Sequence, residues 1–435
     1  MQNRNSSNNK SRRSFLKTTG AVAAGLSWMS TSSAQAAKAE PLALNGGKKA
    51  VTGGSGASKW PQYGKEEEEA VLELVRSPGY GSLPAFEKDW RKHFKVDYCK
   101  THCNGTGAIT SMFFALDLPP GSEIMVPSYT FFATIVPMRL FGLVPVFVDI
   151  NPQTLNFDLE DAKKRLTKNT KAIMPVHWIG LPNEMDKICD WAKEKGLIVL
   201  EDSCHAHGAK LKDRYMGTWG RMGAYSFQAS KPLPGIEGGM GVYQEKDDFD
   251  RATAFGHYGK CAGKYAKYNG SGLATKLRMH PMAATLLRCQ LPKLEARNEA
   301  GAKQVRSLND RLLQLPGLLE QTYNRPDMKR LHYSWNMLFI DEKKAGMTRA
   351  AAVKALQAEG VRTSNFSYRL QHKLPLYAEA KWWHHAPVIP TDLTGSEKAN
   401  NWALPVPYFT SDQPELCDQY VKAFEKVWAH RAKLS

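Results

Sequence analysis

The chain has 435 residues, 42% of them apolar and 23% charged, with a formal charge of +17. That length is too great for one small core and suits a large domain with a smaller partner. No apolar run reaches about 18 residues, which speaks against a membrane-crossing helix, and Lys and Arg form no run or motif of a nucleic-acid-binding face.

The first element is a signal rather than a fold. Arg12 and Arg13 precede Ser14-Phe15-Leu16-Lys17, an apolar stretch runs from Ala21 to Met29, and Ala34-Gln35-Ala36 closes it with a small-x-small site. This order reads as an export signal over 1–36, and the paired arginines are similar to those of the twin-arginine class. The expected partner is the twin-arginine export machinery, and the expected location is periplasmic or secreted. Without residues 1–36, which hold five cations and no acid, the charge falls to +12.

Residues 37–60 are glycine-rich and aperiodic, and predict an extended arm. "KEEEEAVLELVRS" and "PAFEKDWRKHFKV" predict helices, the first with acids in its opening turn. Short apolar runs then alternate with helical patterns. "EIMVPS", "VPVFVDI", "KAIMPVHWIG" and "GLIVLEDS" read as buried strands; "YTFFATIVPMRLFG", "LEDAKKRLTKNT" and "MDKICDWAKEKG" read as helices. Such alternation predicts an α/β fold with a mostly parallel sheet over 61–305. Residues 282–315 predict one long helix linking to a smaller α+β domain over 306–435, where "YSWNMLFI", "TRAAAVKALQAEG" and "VRTSNF" read as strand, helix, strand.

The seven cysteines show no CxxC spacing, so neither a metal centre nor a disulfide framework is expected. Cys99 and Cys103 are the pair an oxidising compartment could join.

In open parallel sheets, ligands sit beyond the carboxyl ends of strands. This rule selects His177 after "AIMPV" and Asp202 after "LIVLE". Asp202 reads either as a structural aspartate or as the partner of a protonated pyridine nitrogen. Asn104-Gly105-Thr106-Gly107 opens a helix and offers backbone N–H groups to an anion. Phe131 reads as core or as a stacking ring. In "SFQASKPLPGIEGGMGV", Lys231 lies in a loop between two apolar runs, the setting of an amine that must be deprotonated part of the time to bond a carbonyl.

These features occur in the order phosphate loop, aromatic, aspartate, then serine and lysine. Together with "NGTGAI", "IMVPSYTFFAT", "LEDSCHAHGA", "GAYSFQASK" and "EGG", they resemble the DegT/DnrJ/EryC1/StrS aminotransferases from about Leu42 onward. The resemblance implies a fold-type I enzyme using pyridoxal 5'-phosphate, with an amino donor (glutamate or glutamine) and a keto-sugar or keto-cyclitol acceptor. It implies a homodimer with a shared active site. Lys231 would bond the cofactor and shuttle the proton, Asp202 would meet the ring nitrogen, and Phe131 would stack. Thr106, Gly107 and Ser226 would hold the phosphate, and His205 would lie near the ring hydroxyl. Two positions depart from the family pattern. Ile236 stands where glycine is usual. Lys276 stands where many members have an asparagine that reaches the partner's phosphate. The form "KLRMHP" and the arm "LALNGG" resemble the inosose aminotransferase branch. The rival readings are another pyridoxal reaction (lyase, dehydratase or racemase) and an exported binding protein on the same fold. Tyr368, Arg369, Trp382 and His384 are candidates for shaping the pocket.

Overall fold

Runs rich in β-branched and apolar residues pair into the sheet that positions everything else. Its strands are β1 (Tyr98–His102), β2 (Glu123–Pro127), β3 (Val144–Val148), β4 (Thr170–Ile173) and β5 (Ile198–Asp202). A small hairpin follows, β6 (Lys210–Leu211) and β7 (Arg214–Tyr215), and then β8 (Met222–Ser226) and β9 (Gly239–Tyr243) return to the large sheet. The spatial order is β1-β9-β8-β5-β4-β2-β3. Only β9 runs antiparallel to its neighbours, so the sheet is mostly parallel, as the alternating pattern predicts. The computed structural model describes residues 40–434 apart from 55, 258, 324 and 411; the export signal read over 1–36 lies outside the described residues.

Every position of β2, β8 and β9 is buried, because helices cover both faces of the sheet. Side chains alternate between the two cores. Ile124, Val126 and Leu200 pack with the helix Gly105–Leu116, whereas Met125 and Val199 pack with the helix Met185–Lys195. Beyond the large sheet lie β10 (Leu318–Glu320), β11 (Met328–Lys329), β12 (Trp335–Ile340) and β13 (Ala403–Pro407). Strands β10, β12 and β13 form an antiparallel sheet backed by the helices Arg349–Ala358 and Pro414–Ala429. Strand β11 adds to the β6–β7 hairpin.

Three sequence expectations differ from the structure. The long helix over 282–315 is two helices, Pro281–Gln290 and Leu294–Leu312, separated by a 3-10 turn at Leu291–Lys293. Pro292 lies in that turn and has no N–H to continue the ladder. "YTFFATIVPMRLFG" forms two 3-10 turns, Phe132–Thr134 and Val136–Phe141, the second containing Pro137. "VRTSNF" forms no strand; the third strand of the smaller sheet is β13, whose "ALPVP" reads poorly as one because of its two prolines. All seven cysteines are free thiols, including Cys99 and Cys103. No helix among the described residues is long and apolar enough to cross a membrane.

The arm is held by one carboxylate. Glu359, fully buried, accepts hydrogen bonds from Ala43 N at 2.7 Å and Ala50 N at 3.0 Å, and pairs with Lys426 Nζ at 2.9 Å. Its backbone carbonyl accepts from Val51 N at 2.9 Å. Removing one member of a buried pair strands the other charge, so Glu359→Ala should cost about 3–5 kcal/mol. Urea unfolding would measure the loss, and limited proteolysis should cut near residue 50 faster than in the parent; unchanged stability and cleavage would contradict this account.

Candidate active site

A cavity of about 640 Å³ opens at the carboxyl ends of the parallel strands. Each wall comes from the segment that leaves a strand. Helix Gly105–Leu116 follows β1 and presents its N-terminus. Its cap is Asn104, whose Oδ1 accepts from Gly107 N at 2.8 Å. That bond occupies the Gly107 N–H. Thr106 lines the cavity, whereas Gly107 lies behind it. Gly105 allows the helix to approach the end of β8, since a Cβ there would meet Ser226 Cβ at 2.8 Å.

Asp202 ends β5 and is 5% exposed. Thr134 Oγ1 donates to its Oδ2 at 2.7 Å, and Cys204 N donates to its Oδ1 at 3.1 Å. Thr130 and Thr134 hydroxyls bond each other at 2.7 Å, so the carboxylate ends a short hydroxyl chain. Its neighbour Glu201 points to the opposite face. It accepts from Gly217 N at 2.7 Å, Trp219 N at 2.6 Å and Gly220 N at 2.7 Å.

Lys231 follows β8 in a tight loop. Phe227 N donates to Gly238 O, Gly235 N to Phe227 O and Ala229 N to Ile236 O, at 2.8, 2.8 and 2.9 Å. Trp60 Nε1, from the arm, donates to Lys231 O at 3.1 Å. The amine lies over the face of Tyr333, 4.6 Å from the ring centre, a favourable place for a cation. The Tyr333 ring packs on His205 at 4.4 Å, and its hydroxyl meets Ser230 Oγ at 2.9 Å. Burial pushes the His205 pKa well below the usual range, helped by the Lys231 charge, so its imidazole is neutral; Nδ1 has no hydrogen-bond partner. His207 is pushed down to about 3 for the same two reasons. Burial, with the Asp202 charge, raises the Cys204 thiol well above its usual value, which makes it a poor nucleophile.

The structure therefore brings Thr106, Phe131, Asp202, His205, Ser226 and Lys231 to one cavity. Phe131 is 52% exposed, so it is not core. Lys276 is exposed and outside this cavity. Its backbone is pinned by Thr275 N to Phe255 O and Leu277 N to Gly256 O, at 3.2 and 2.9 Å. His177 is not a ligand residue. It is fully buried, with Nε2 on Glu201 at 3.0 Å and Nδ1 accepting from Asn183 N at 3.1 Å. Of the C-terminal candidates, Tyr368 lines the cavity; Arg369, Trp382 and His384 do not. Sequence reasoning missed Trp178, Tyr333, Trp335 and Phe366, which give the cavity an aromatic wall. The signal for Tyr333 lay in "YSWNMLFI", just before the strand. Among the described residues no cluster of His, Cys, Asp or Glu could hold a metal ion.

The site suits a flat anionic heterocycle bearing an aldehyde. It offers a buried carboxylate at a strand end, a helix N-terminus with Ser226 beside it, an unpartnered imidazole nitrogen, and one amine.

Comparison with known proteins agrees. The profile of the DegT/DnrJ/EryC1/StrS aminotransferase family matches residues 61–424. The chain is 30% identical to dTDP-4-dehydro-2,3,6-trideoxy-D-glucose 4-aminotransferase from Saccharopolyspora spinosa, over 86% of this chain and 98% of that one. It is 27% identical to a protein of Micromonospora echinospora named as a putative L-glutamine:3-amino-2,3-dideoxy-scyllo-inosose aminotransferase, over 73% and 78%. Among solved structures, an aminotransferase from Psychrobacter cryohalolentis superimposes with a TM-score of 0.78 at 24% identity, covering 86% of this chain and 99% of that one, a likeness of fold.

Proposed function

Because the chain belongs to the DegT/DnrJ/EryC1/StrS aminotransferase family, whose members depend on pyridoxal phosphate, we propose that it moves an amino group from glutamate or glutamine to a keto-sugar or keto-cyclitol. The observation that carries this reading is the single cavity shared by the Lys231 amine and the Asp202 carboxylate. The printed activities of the relatives, one on a dTDP-linked sugar and one on an inosose, support the acceptor class.

When bound, the cofactor supplies an electron sink for the pair left as a Cα–H bond breaks. The chain's own residues do the rest. Asp202 would hold a protonated ring nitrogen, its carboxylate oriented by the Thr134 hydroxyl and the Cys204 N–H. Thr106 and Ser226, at the helix N-terminus, receive the phosphate. Phe131 covers a ring face. Neutral His205 offers Nδ1 near the ring hydroxyl. Lys231 Nζ takes the proton from one carbon and returns it to another, as a general base and then acid. Over the Tyr333 face this amine has a fixed resting place.

Lys276 lies outside its own cavity, and in our reading it meets the phosphate of a second copy in a homodimer. We also infer export of the folded protein through the twin-arginine pathway, from Arg12-Arg13 and the Ala34-Gln35-Ala36 site. Export favours an acceptor present outside the cytoplasm.

Four outcomes are expected. Glutamate or glutamine should convert the bound cofactor to its amine form, seen as loss of the yellow absorbance, and a keto acceptor should restore it. Lys231→Ala should remove both the yellow band and the exchange; a parent protein that no amino donor bleaches would sink transamination. Lys276→Ala should release cofactor faster on dialysis of the dimer, and unchanged retention would remove its role. Cell fractionation should place the parent outside the cytoplasm and the Arg12→Lys/Arg13→Lys variant inside; identical distributions would end the export reading.

A further inference from the structure

The active-site cavity has a neighbour. A second cavity, of about 350 Å³, shares Gln228, Ser230, Tyr333, Ser334 and Trp335 with it. Where they meet, the Tyr333 hydroxyl donates to Ser230 Oγ at 2.9 Å, and Ser230 Oγ in turn donates to Gln228 Oε1 at 2.6 Å. The second cavity lies behind the Lys231 loop, under the arm residues Ser58 and Trp60.

Its lining is lopsided in charge. No aspartate or glutamate lines it among the described residues, and its cation is Arg362. One guanidinium nitrogen, Nη1, donates to Ser58 Oγ at 2.6 Å, and no carboxylate pairs with the group among the described residues. Among the described residues, one of its five N–H donors is used. His332 also lines the cavity. It is 9% exposed, and Nδ1 has no partner. Burial and the charges of Arg330 and Arg306 keep it neutral, so it offers a hydrogen bond rather than a second charge. Hydroxyls of Ser58, Ser230 and Tyr408 complete the polar surface.

We propose that this side cavity binds the carboxylate of a small, amino-acid-sized molecule, with Arg362 as its cationic anchor. A planar guanidinium matches a carboxylate through two parallel hydrogen bonds. The volume lies at the small end for ligand sites and admits a molecule the size of glutamate. In the reaction proposed above, the one reactant that must carry a carboxylate is the amino donor. The assignment of that donor to this cavity rests on the aminotransferase reading; the carboxylate site itself rests on the geometry alone.

Glutarate has the carboxylates and no amine, so it separates the two claims. Trp60 and Trp335 line the cavity and report binding through their fluorescence. Titrating the full-length, cofactor-loaded protein with glutarate should give saturable quenching. Arg362→Gln should weaken it by about tenfold or more, Arg362→Lys should recover part of the loss, and Lys329→Gln, outside the cavity, should change nothing. Arg362 is exposed, and matching melting curves will show that its variants fold. Ser58→Ala, which removes a lining hydroxyl, should weaken glutarate less than Arg362→Gln does. No glutarate binding, equal binding by Arg362→Gln, or tighter binding of inorganic phosphate than of glutarate would overturn the carboxylate site. In turnover with glutamate, Arg362→Gln should raise KM and leave kcat near the parent value. An unchanged KM beside lost glutarate binding would overturn the assignment to the donor. A protein that no donor bleaches, yet that binds glutarate through Arg362, would sink the transaminase reading and keep the site.

Discussion

Glu201 is the carboxylate on which the site depends. It is fully buried and accepts three backbone N–H groups from the turn at 217–220 and one ring nitrogen from His177. An unpaired buried carboxylate would be very costly, so these four partners and Glu201 fix one another. Strand alternation does the remainder. With Glu201 committed to one face of β5, Asp202 must project from the other, which is the cavity. A one-residue slip of β5 would exchange the two carboxylates and destroy both the turn and the site.

The lysine is placed by a different device. Its loop is closed on itself by backbone bonds and must pass close to the helix that follows β1. Gly239 makes this possible, because a Cβ there would lie 2.2 Å from Asn104 O. Ile236 breaks the pattern in the same loop. It adopts φ +67° while 59% exposed, a left-handed conformation that disfavours β-branched residues by about 1–2 kcal/mol. The hydrogen bond from Ala229 N to Ile236 O holds it there. The turn thus keeps the conformation a glycine would adopt without strain, and the apolar side chain is left exposed.

Much of this was legible in the sequence, and the reasons are local. Short apolar strands between helices specify the parallel sheet, and a strand end locates Asp202. The Lys231 loop is marked by its glycines and by apolar runs on both sides. The strand-end rule also selected His177, because it knows where a side chain starts and not which way it points; Glu201 draws that ring inward. Of the aromatic wall only Tyr368 was legible. Trp178, Tyr333 and Phe366 are up to 188 positions apart in sequence and meet only because the two sheets pack across the cavity. Density misled in the opposite direction at Trp382 and His384, whose aromatic cluster lies elsewhere: Trp382 sits under Arg139 with its Nε1 on Glu379.

The arm joins these parts. Glu359 grips it near Ala43 and Ala50, and ten residues later Trp60 reaches the carbonyl of Lys231. Arg297 stacks on that indole at 4.8 Å and donates to Pro232 O at 2.9 Å, so the arm and the loop share one cation. Lys231 is therefore gripped from behind by a segment that starts at the end of the signal-like sequence. A chain whose arm is unseated loses the Trp60 bond, and with it one restraint on the Lys231 loop and the roof of the side cavity. Folding of the arm onto the body is then a condition for a finished site.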